Sequence, residues 1–458
     1  MVAFFKDRKI AGLLLLTFLL RLVVFLIFQP WREGVLQKDV FIYDAIGYNI
    51  LAKCMAFDFS FCGDTFRTPV YPAFAAFFYA LFGAKPWIVL LVQVVLNTAS
   101  GYLLFRICQR LFSNSAVGYA ALFLFAFDPQ QIIFSTYLYT DILFVFILLL
   151  CVLLLIRGLQ ENKISLFVAC GILSGTLILT RPIAVYLPAV LGFFVFIWTK
   201  TDLVQRLKYT VVLVLLAYLT IVPWMYRNYK LYGHFELSSI NGYNLLFYNA
   251  AFTEVNHTQK TYEQVCDEFV RLSKDAAPEK LKPDMPHSME ERLHGLTFEK
   301  SDVYNEVAKK YLKQHFFAAV KAHLSGSIKL HLNMGSEVIM KRLHLPVKQW
   351  TDTEKYSGGI FQLAKKYFST KTSGEIVIGL FVLLFLGVVY VTALLGVIEL
   401  TFLQRQWMVC LFILLIIGYF AGLSGIFYTP RFRLPFLPFY MVLSGVGYVS
   451  ILSRFRKD

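Results

Sequence analysis

Residues 69–83 read PVYPAFAAFFYALFG, and the placement of that stretch decides the topology of the chain. It is apolar, but its fifteen residues fall short of the roughly 17–25 that a membrane-crossing helix needs, and Pro69 and Pro72 open it. Longer apolar runs lie on both sides. Ile10–Phe28 follows Lys6, Arg8 and Lys9 and has no small-residue cleavage site, so it reads as an uncleaved helix. Nine more follow: Trp87–Phe105, Ala116–Tyr139, Ile142–Ile156, Ile164–Thr180, Ile183–Trp198, Tyr209–Trp224, Ile376–Leu400, Trp407–Tyr428 and Leu434–Leu452. If 69–83 does not cross, the loops on the N-terminal side hold Arg106, Arg110, Arg157, Lys163, Lys200, Arg206, Lys208, Arg405, Arg454, Arg456 and Lys457. If it crosses, all of these move to the face opposite the N-terminal cluster. The excess of Lys and Arg in cytoplasmic loops selects the first topology. Residues 69–83 are then expected to be an interfacial or re-entrant helix, with about ten spans and both termini cytoplasmic.

Composition agrees. Of 458 residues, 58% are hydrophobic and only 16% charged, and the mean hydropathy is +0.61. A soluble chain of this length could not bury so much apolar surface around one core, which excludes a soluble enzyme, a disordered regulator and a disulfide scaffold. The net charge of +15 belongs to topology and lipid contacts rather than to a nucleic-acid partner. The seven Cys show no CxxC spacing, so no zinc or redox motif is indicated. The expected fold is an all-α polytopic membrane protein in three parts. Residues 1–224 form a transmembrane core with a first exoplasmic loop at 29–86. Residues 225–375 form a mostly helical exoplasmic and interfacial domain, with amphipathic helices near 258–275 and 299–314, turn material at Lys282–Pro286, and an interfacial helix within His315–Met334. Residues 376–458 supply the C-terminal transmembrane helices.

This topology gathers charge on one face. Asp39, Asp44, Asp141, Arg181, Arg227, Arg431 and Arg433 all fall at exoplasmic ends of spans. Acids beside arginines suit a site that handles an anionic lipid headgroup and moves protons; singly, such arginines also snorkel to the interface. Arg21 lies mid-span and is expected to face a partner inside the bundle. Gln93 and Asn97 are four apart, on one helical face, and are expected to join helices. Asp128-Pro129 interrupts the third run.

The local motifs around these charges resemble those of the GT-C glycosyltransferases, a superfamily that includes the bacterial protein O-mannosyltransferases and the lipid A aminoarabinose transferases. Asp39-Val-Phe-Ile-Tyr43 with Asn49-Ile-Leu-Ala-Lys53 is similar to the first-loop motif. Phe66-Arg-Thr-Pro-Val-Tyr-Pro72, Tyr139-Thr-Asp141, Gly171-x3-Gly175 with Leu-Thr-Arg-Pro182, Pro223-Trp-Met-Tyr-Arg-Asn228 with Tyr232-Gly-His-Phe235, and Arg431-Phe-Arg-Leu-Pro435 follow in the family's order. Residues 240–370 carry no matching motif. The resemblance implies transfer of a single sugar from a polyprenyl-phosphate carrier to an acceptor hydroxyl on a lipid, glycan or protein. It places the active site on the exoplasmic or periplasmic side of a bacterial plasma (inner) membrane, in a cavity between helix bundle and exoplasmic domain.

Inverting transfer needs a base for the acceptor proton and a stabiliser for the departing phosphate. The resemblance makes Asp39 the base, with Asp44 the alternative; Asp39 is equally a candidate N-cap of the helix that follows. Asp141, opening a helix, would position the acceptor or a basic neighbour. Arg67, Arg227, Arg431 and Arg433 are the candidate phosphate ligands, since arginine stays charged and binds bidentately. Arg67 departs from the aminoarabinose transferases, where a Glu-Lys pair precedes the Pro. Tyr43, Tyr71, Asn228 and Arg181 are weaker candidates for substrate contact, and each serves equally well as a bundle contact. No cofactor is implied. No metal is proposed, because the chain lacks a WWD signature and Asp352-Thr-Glu354 is a lone DxE; a divalent cation stays open. Cys54 and Cys62 would brace the first loop if paired, the alternative being two buried thiols. Asn256-His-Thr258 is a sequon. The competing functions are a flippase or transporter, against which stands the lack of an internal repeat, and a polymerase or ligase using a diphosphate-linked donor.

Overall fold

The computed structural model describes residues 7–258, 260–279, 281, 296–348 and 360–455. Each apolar run of the sequence appears as helix, and the burial pattern shows which face of each is turned inward. Helix α1 (Arg8–Phe28) is capped by the Asp7 carboxylate, which accepts from the Lys9 and Ile10 amides. Its buried residues Ile10, Leu14, Thr17, Arg21, Phe25 and Phe28 recur every three or four positions, one stripe facing the bundle. Leu15, Leu19, Val23 and Leu26 face outward.

Arg21 lies on the inward stripe and its charge is fully buried. It donates to Thr17 O at 3.0 Å, Ala126 O at 3.1 Å, Phe125 O at 2.9 Å and the Asn97 side chain. Two of those carbonyls end α5 (Ser115–Phe127), where Asp128-Pro129 breaks the helix before α6 (Pro129–Phe134). The run Ala116–Tyr139 is therefore not one helix, because Pro129 has no N–H to continue the ladder; the guanidinium of Arg21 takes up the carbonyls left over. Gln93 and Asn97, both on α4 (Pro86–Leu111), are buried. Gln93 donates to Tyr137 O at 2.7 Å and accepts from the Tyr71 hydroxyl at 2.8 Å, and Asn97 donates to Gln131 at 2.7 Å. These are the polar joints that helices in lipid rely on.

Between α1 and α4 lie α2 (Asp44–Phe57) and α3 (Val70–Phe82). The thirteen residues of α3 span only about 20 Å at 1.5 Å per residue, against a hydrocarbon core of about 30 Å. Next come α7 (Asp141–Glu161), α8 (Ile164–Thr180), α9 (Leu187–Trp198) and α10 (Leu203–Tyr232). Gly171 and Gly175 form the seam between α8 and α10: a Cβ at Gly171 would stand 2.7 Å from Leu213 O, and one at Gly175 2.6 Å from Ala217 O. Helix α10 runs through Pro223 to Tyr232, eight residues past the boundary expected at 224. Among the described residues, six helical segments are long and apolar enough to cross a membrane: α1, α4, α7, α10, Ser373–Leu403 and Trp407–Phe427. Val70–Phe82, Ser115–Phe127, Ile164–Thr180 and Pro182–Trp198 are shorter apolar helices.

The segment after α10 builds a second core around Tyr243, Phe247, Phe252, Phe269 and Tyr304, from the helical stretch 240–257, α11 (Tyr262–Ala276) and α12 (Phe298–Gln314). A capping box, Thr261 with Gln264, starts α11. Helix α13 (Phe316–Leu332) buries Ala322, Gly326 and Leu330 while exposing Phe317, Leu324 and Ile328, the pattern of a helix lying in an interface. Helices α14 (Ser336–Arg342), α15 (Ile360–Thr370), α16 (Ser373–Ile398), α17 (Trp407–Ser424) and α18 (Leu437–Phe455) complete the fold.

The charges sort to the two ends of the bundle. Asp141 begins α7 and Glu161 ends it, about 30 Å apart at helical rise. At the Glu161 end, Arg110 and Arg157 approach that carboxylate at 3.4 and 3.1 Å. The Asp141 end holds the candidate site.

Candidate functional site

The first loop turns a sharp corner. The helical segment Glu33–Val40 and α2 meet at 118°, with Asp39 at one edge of the bend and Asp44 at the other. Tyr43 takes the strain, with φ 48° and ψ −124°, a region that non-glycine residues rarely enter and that costs about 1–3 kcal/mol. The residue is 66% exposed. Asp39 does not cap α2: Tyr43 occupies that position, without a side-chain cap.

Four charged side chains join in a row at this corner. Arg431 donates from Nη1 to Asp44 Oδ2 at 2.6 Å and from Nε to Asp141 Oδ2 at 2.7 Å. Arg181 pairs with the other Asp141 oxygen. Asp44 opens α2 and Asp141 opens α7, so both carboxylates also meet the positive end of a helix dipole. The Tyr139 ring lies 4.2 Å from the Arg431 guanidinium. Asp141 is sealed in, at 1% side-chain exposure, whereas Asp44 keeps 29% and Arg431 16%. Burial pushes the Asp44 pKa up, but the charge and hydrogen bond of Arg431 outweigh it and hold the carboxyl below its ordinary value. Burial likewise works against the Arg431 cation; Asp141 and Asp44 more than offset it and raise its pKa.

A cavity of about 580 Å³ opens beside this row, lined by Tyr43, Asp44, Gly47, Arg67, Tyr232 and Glu299 among others. It therefore lies between the membrane-spanning helices and the segment that follows α10. Arg67 is set into its wall by Asp64, whose Oδ1 accepts the Phe66 and Arg67 amides at 2.7 and 2.8 Å and whose Oδ2 takes Arg67 Nη1 at 2.7 Å. The Arg67 guanidinium lies against Gly47, where any Cβ would collide with it. Cys54 and Cys62 form a disulfide, tying α2 to the strand of chain that carries Arg67. Thr65 fastens that chain to the segment after α10 through Leu296 O at 2.8 Å and the Ser239 hydroxyl at 2.9 Å.

Other residues named from the sequence lie apart from the row. Arg433 is fully buried and donates to Leu330 O at 2.8 Å and His331 O at 3.1 Å, the last carbonyls of α13. The structure thus places the Arg433 guanidinium at a helix end, apart from the cavity. Arg227 hydrogen-bonds Asn228 at 2.8 Å and stacks on Trp224 at 4.6 Å. Asn228 is buried and donates to Glu236 O at 2.8 Å, and the buried Tyr71 donates to Gln93 at 2.8 Å. The carboxylate of Asp39 carries no hydrogen bond or ion pair among the described residues, and its main-chain carbonyl accepts from Arg342 Nη1 at 2.8 Å. Sequence reasoning missed Asp64 and Arg342. The first was readable as an acid three residues before Arg67; nothing local marks the second.

Among the described residues, His234, Glu236 and Asp302 have ligand atoms within 4.8 Å of one another. The His234-to-acid separations of 3.8–3.9 Å and the partial exposure of all three are those of solvated surface groups. Burial, then Asp302, raises the Glu236 pKa. Asp352 and Glu354 lie outside the described residues.

Known proteins share this architecture. The archaeal oligosaccharyltransferase AglB from Archaeoglobus fulgidus, solved with an inhibitory peptide and a dolichol-phosphate, superposes with a TM-score of 0.52 over 98% of this chain at 13% identity. The chain shares the fold of that oligosaccharyltransferase. A second structure of the Archaeoglobus fulgidus oligosaccharyltransferase, tethered to an acceptor peptide containing the NVT sequon, gives a TM-score of 0.50 over 99% of the chain at 12% identity. This chain spans about half the length of each, 51% and 50%. ArnT from Cupriavidus metallidurans in the apo state aligns with 96% of this chain and 78% of its own, with a TM-score of 0.38 and 15% identity. Residues 67–226 match the family model described as dolichyl-phosphate-mannose-protein mannosyltransferase. No curated protein sequence matches the chain. The matched family segment begins at Arg67 and contains Asp141, Arg181 and Arg227, but neither Asp39 nor Arg431.

Proposed function

We propose that this protein is an inverting glycosyltransferase that moves a single sugar from a polyprenyl-phosphate carrier to an acceptor hydroxyl at the exoplasmic face of a bacterial inner membrane. The observation that carries the reading is the row Asp44–Arg431–Asp141–Arg181 beside a cavity that also exposes Arg67. The fold shared with a protein solved holding dolichol-phosphate and the mannosyltransferase family match support it.

In this reading Asp39 is the base. Its carboxylate is not committed to a partner, whereas Asp44 and Asp141 are both held by Arg431. The acceptor oxygen attacks C1 while Asp39 takes its proton, a contribution of about 10²–10⁴-fold. The bond from C1 to the phosphate oxygen breaks, and the lipid phosphate leaves with the electron pair. Arg67 and the remaining Arg431 nitrogen, Nη2, face that charge. Arg431 thus has two tasks, fixing the acids with Nε and Nη1 and meeting the phosphate with Nη2. Acceptor choice, whether lipid, glycan or protein, falls to the exoplasmic segment. Purified protein incubated with sugars on polyprenyl monophosphate and diphosphate carriers tests the donor. Turnover of the monophosphate donor alone is expected; turnover of the diphosphate donor alone would replace this reading with a polymerase or ligase.

A further inference from the structure

Arg342 has no part in the row of charges, yet it is among the largest fully buried side chains, at 1% exposure. It comes from α14, a helix remote in sequence from the first loop. Its guanidinium is wedged between two rings, 4.0 Å from the centre of Phe28 and 3.5 Å from that of Tyr137. Nη1 donates to the carbonyl of Asp39 at 2.8 Å. No carboxylate forms an ion pair with it among the described residues; the buried cation meets the two rings and that main-chain carbonyl.

The three contacts define a clamp. Phe28 is the last residue of α1, and the His344 ring stacks against it at 6.0 Å. Tyr137 lies in the turn that leads to Asp141 and also receives the Gln93 amide. Asp39 sits at the edge of the 118° corner, with the strained Tyr43 between it and Asp44. Arg431 fixes the Asp44 edge of the corner and Arg342 fixes the Asp39 edge. A strained turn persists only when its surroundings over-determine it, and these two arginines hold its ends.

We infer that Arg342 is a positioning residue, which aims the carboxylate of Asp39 by gripping its main chain against α1 and the Tyr137 turn. The inference rests on the reading of Asp39 as the base. A misplacement of about 1 Å at a reacting group costs as much as 10²-fold in rate. The test uses the full-length protein in detergent or liposomes with the polyprenyl-monophosphate donor. Arg342→Ala is expected to lower kcat by about 10–100-fold with donor KM unchanged. Added guanidinium ion should restore part of that rate by filling the space between Phe28 and Tyr137. In an Asp39→Asn background, Arg342→Ala should slow the reaction little further, because the two act as one unit. Should the Ala variant fail to fold, Arg342→Lys keeps the charge but not the planar stack, and is expected to lose about tenfold in kcat by the same misplacement. Wild-type kcat in the Ala variant, or in the Lys variant where the Ala protein does not fold, would overturn the inference. So would a full additional loss on top of Asp39→Asn. If Asp39→Asn is itself fully active, the reading of the base fails first; an impaired Asp39→Asn beside a normal Arg342→Ala overturns the positioning role alone.

Discussion

Replacing Arg431 by Met removes the centre of the charge row while keeping a long side chain. The wild-type row alternates in sign, Asp44, Arg431, Asp141, Arg181, and sums to zero. Without Arg431 it carries a net negative charge, with two carboxylates left where one guanidinium had bridged them at 2.6 and 2.7 Å. Hydrogen bonds to charged groups contribute about 1.5–3 kcal/mol each, which bounds the loss near 6 kcal/mol. Two features reduce it. Asp141 keeps Arg181, and Asp44, at 29% exposure, regains water. The expected loss is about 3 kcal/mol, the lower end of the range for breaking a buried pair, or roughly a 3 °C fall in melting temperature for a chain of this size. The assay is thermal unfolding of purified wild type, Arg431→Met, Asp44→Asn and the double variant. The double variant should be more stable than the sum of the single losses predicts, with a coupling of about 1–3 kcal/mol. A melting temperature for Arg431→Met equal to wild type, or strict additivity in the cycle, would refute the bridge.

Other outcomes follow from the same geometry. Gly47→Ala puts a methyl group where the Arg67 guanidinium lies; the flexible side chain is expected to move aside, so the melting temperature should hold while donor Kd, measured by titration, rises about tenfold, or 1.4 kcal/mol. Cys54→Ser with Cys62→Ser removes a cross-link between residues eight apart in sequence, which in the chain-entropy relation contributes about 2.5 kcal/mol; the pair should unfold at lower temperature and lose activity when warmed, and equal heat resistance would show the loop is braced by other means. Because Arg431 holds the Asp44 pKa low, the stability that this ion pair adds is fully present above the ordinary carboxylate value of about 3.9. It is lost only as pH falls through the lower folded value, so melting temperature plotted against pH should show no drop from this group between neutrality and about pH 5. A steep decline there that disappears in Asp44→Asn would contradict the assignment.

Much of the fold was legible because apolar runs and charge asymmetry are local signals. Each of the ten runs is helical, and α3 is short at the stretch where charge bias argued against a crossing. The run Ala116–Tyr139 misled because its hydropathy continues across Asp128-Pro129, although the Pro itself marked the break. The acids and arginines of the site were nameable, but their pairing was not. Asp44 and Arg431 are 387 positions apart, and no spacing rule reaches that far. Arg431 and Arg433 show the limit most clearly. They stand two apart in one short 3₁₀ turn, Pro430–Arg433, and at three residues per turn their side chains leave in very different directions. One meets the acids; the other caps α13. Arg342 was invisible to sequence reasoning because its partner is a main-chain carbonyl, which no residue type advertises.

The central claim is that Asp39 takes the proton of the acceptor. Asp39→Asn keeps the shape of the side chain and removes its basicity, and the Arg342 contact to the main chain does not depend on the carboxylate. Single-turnover transfer from the polyprenyl-monophosphate sugar, measured beside equilibrium donor binding, tests it directly. The account predicts donor affinity within about twofold of wild type and a transfer rate lower by about 10²–10⁴-fold. A wild-type transfer rate in Asp39→Asn would contradict it.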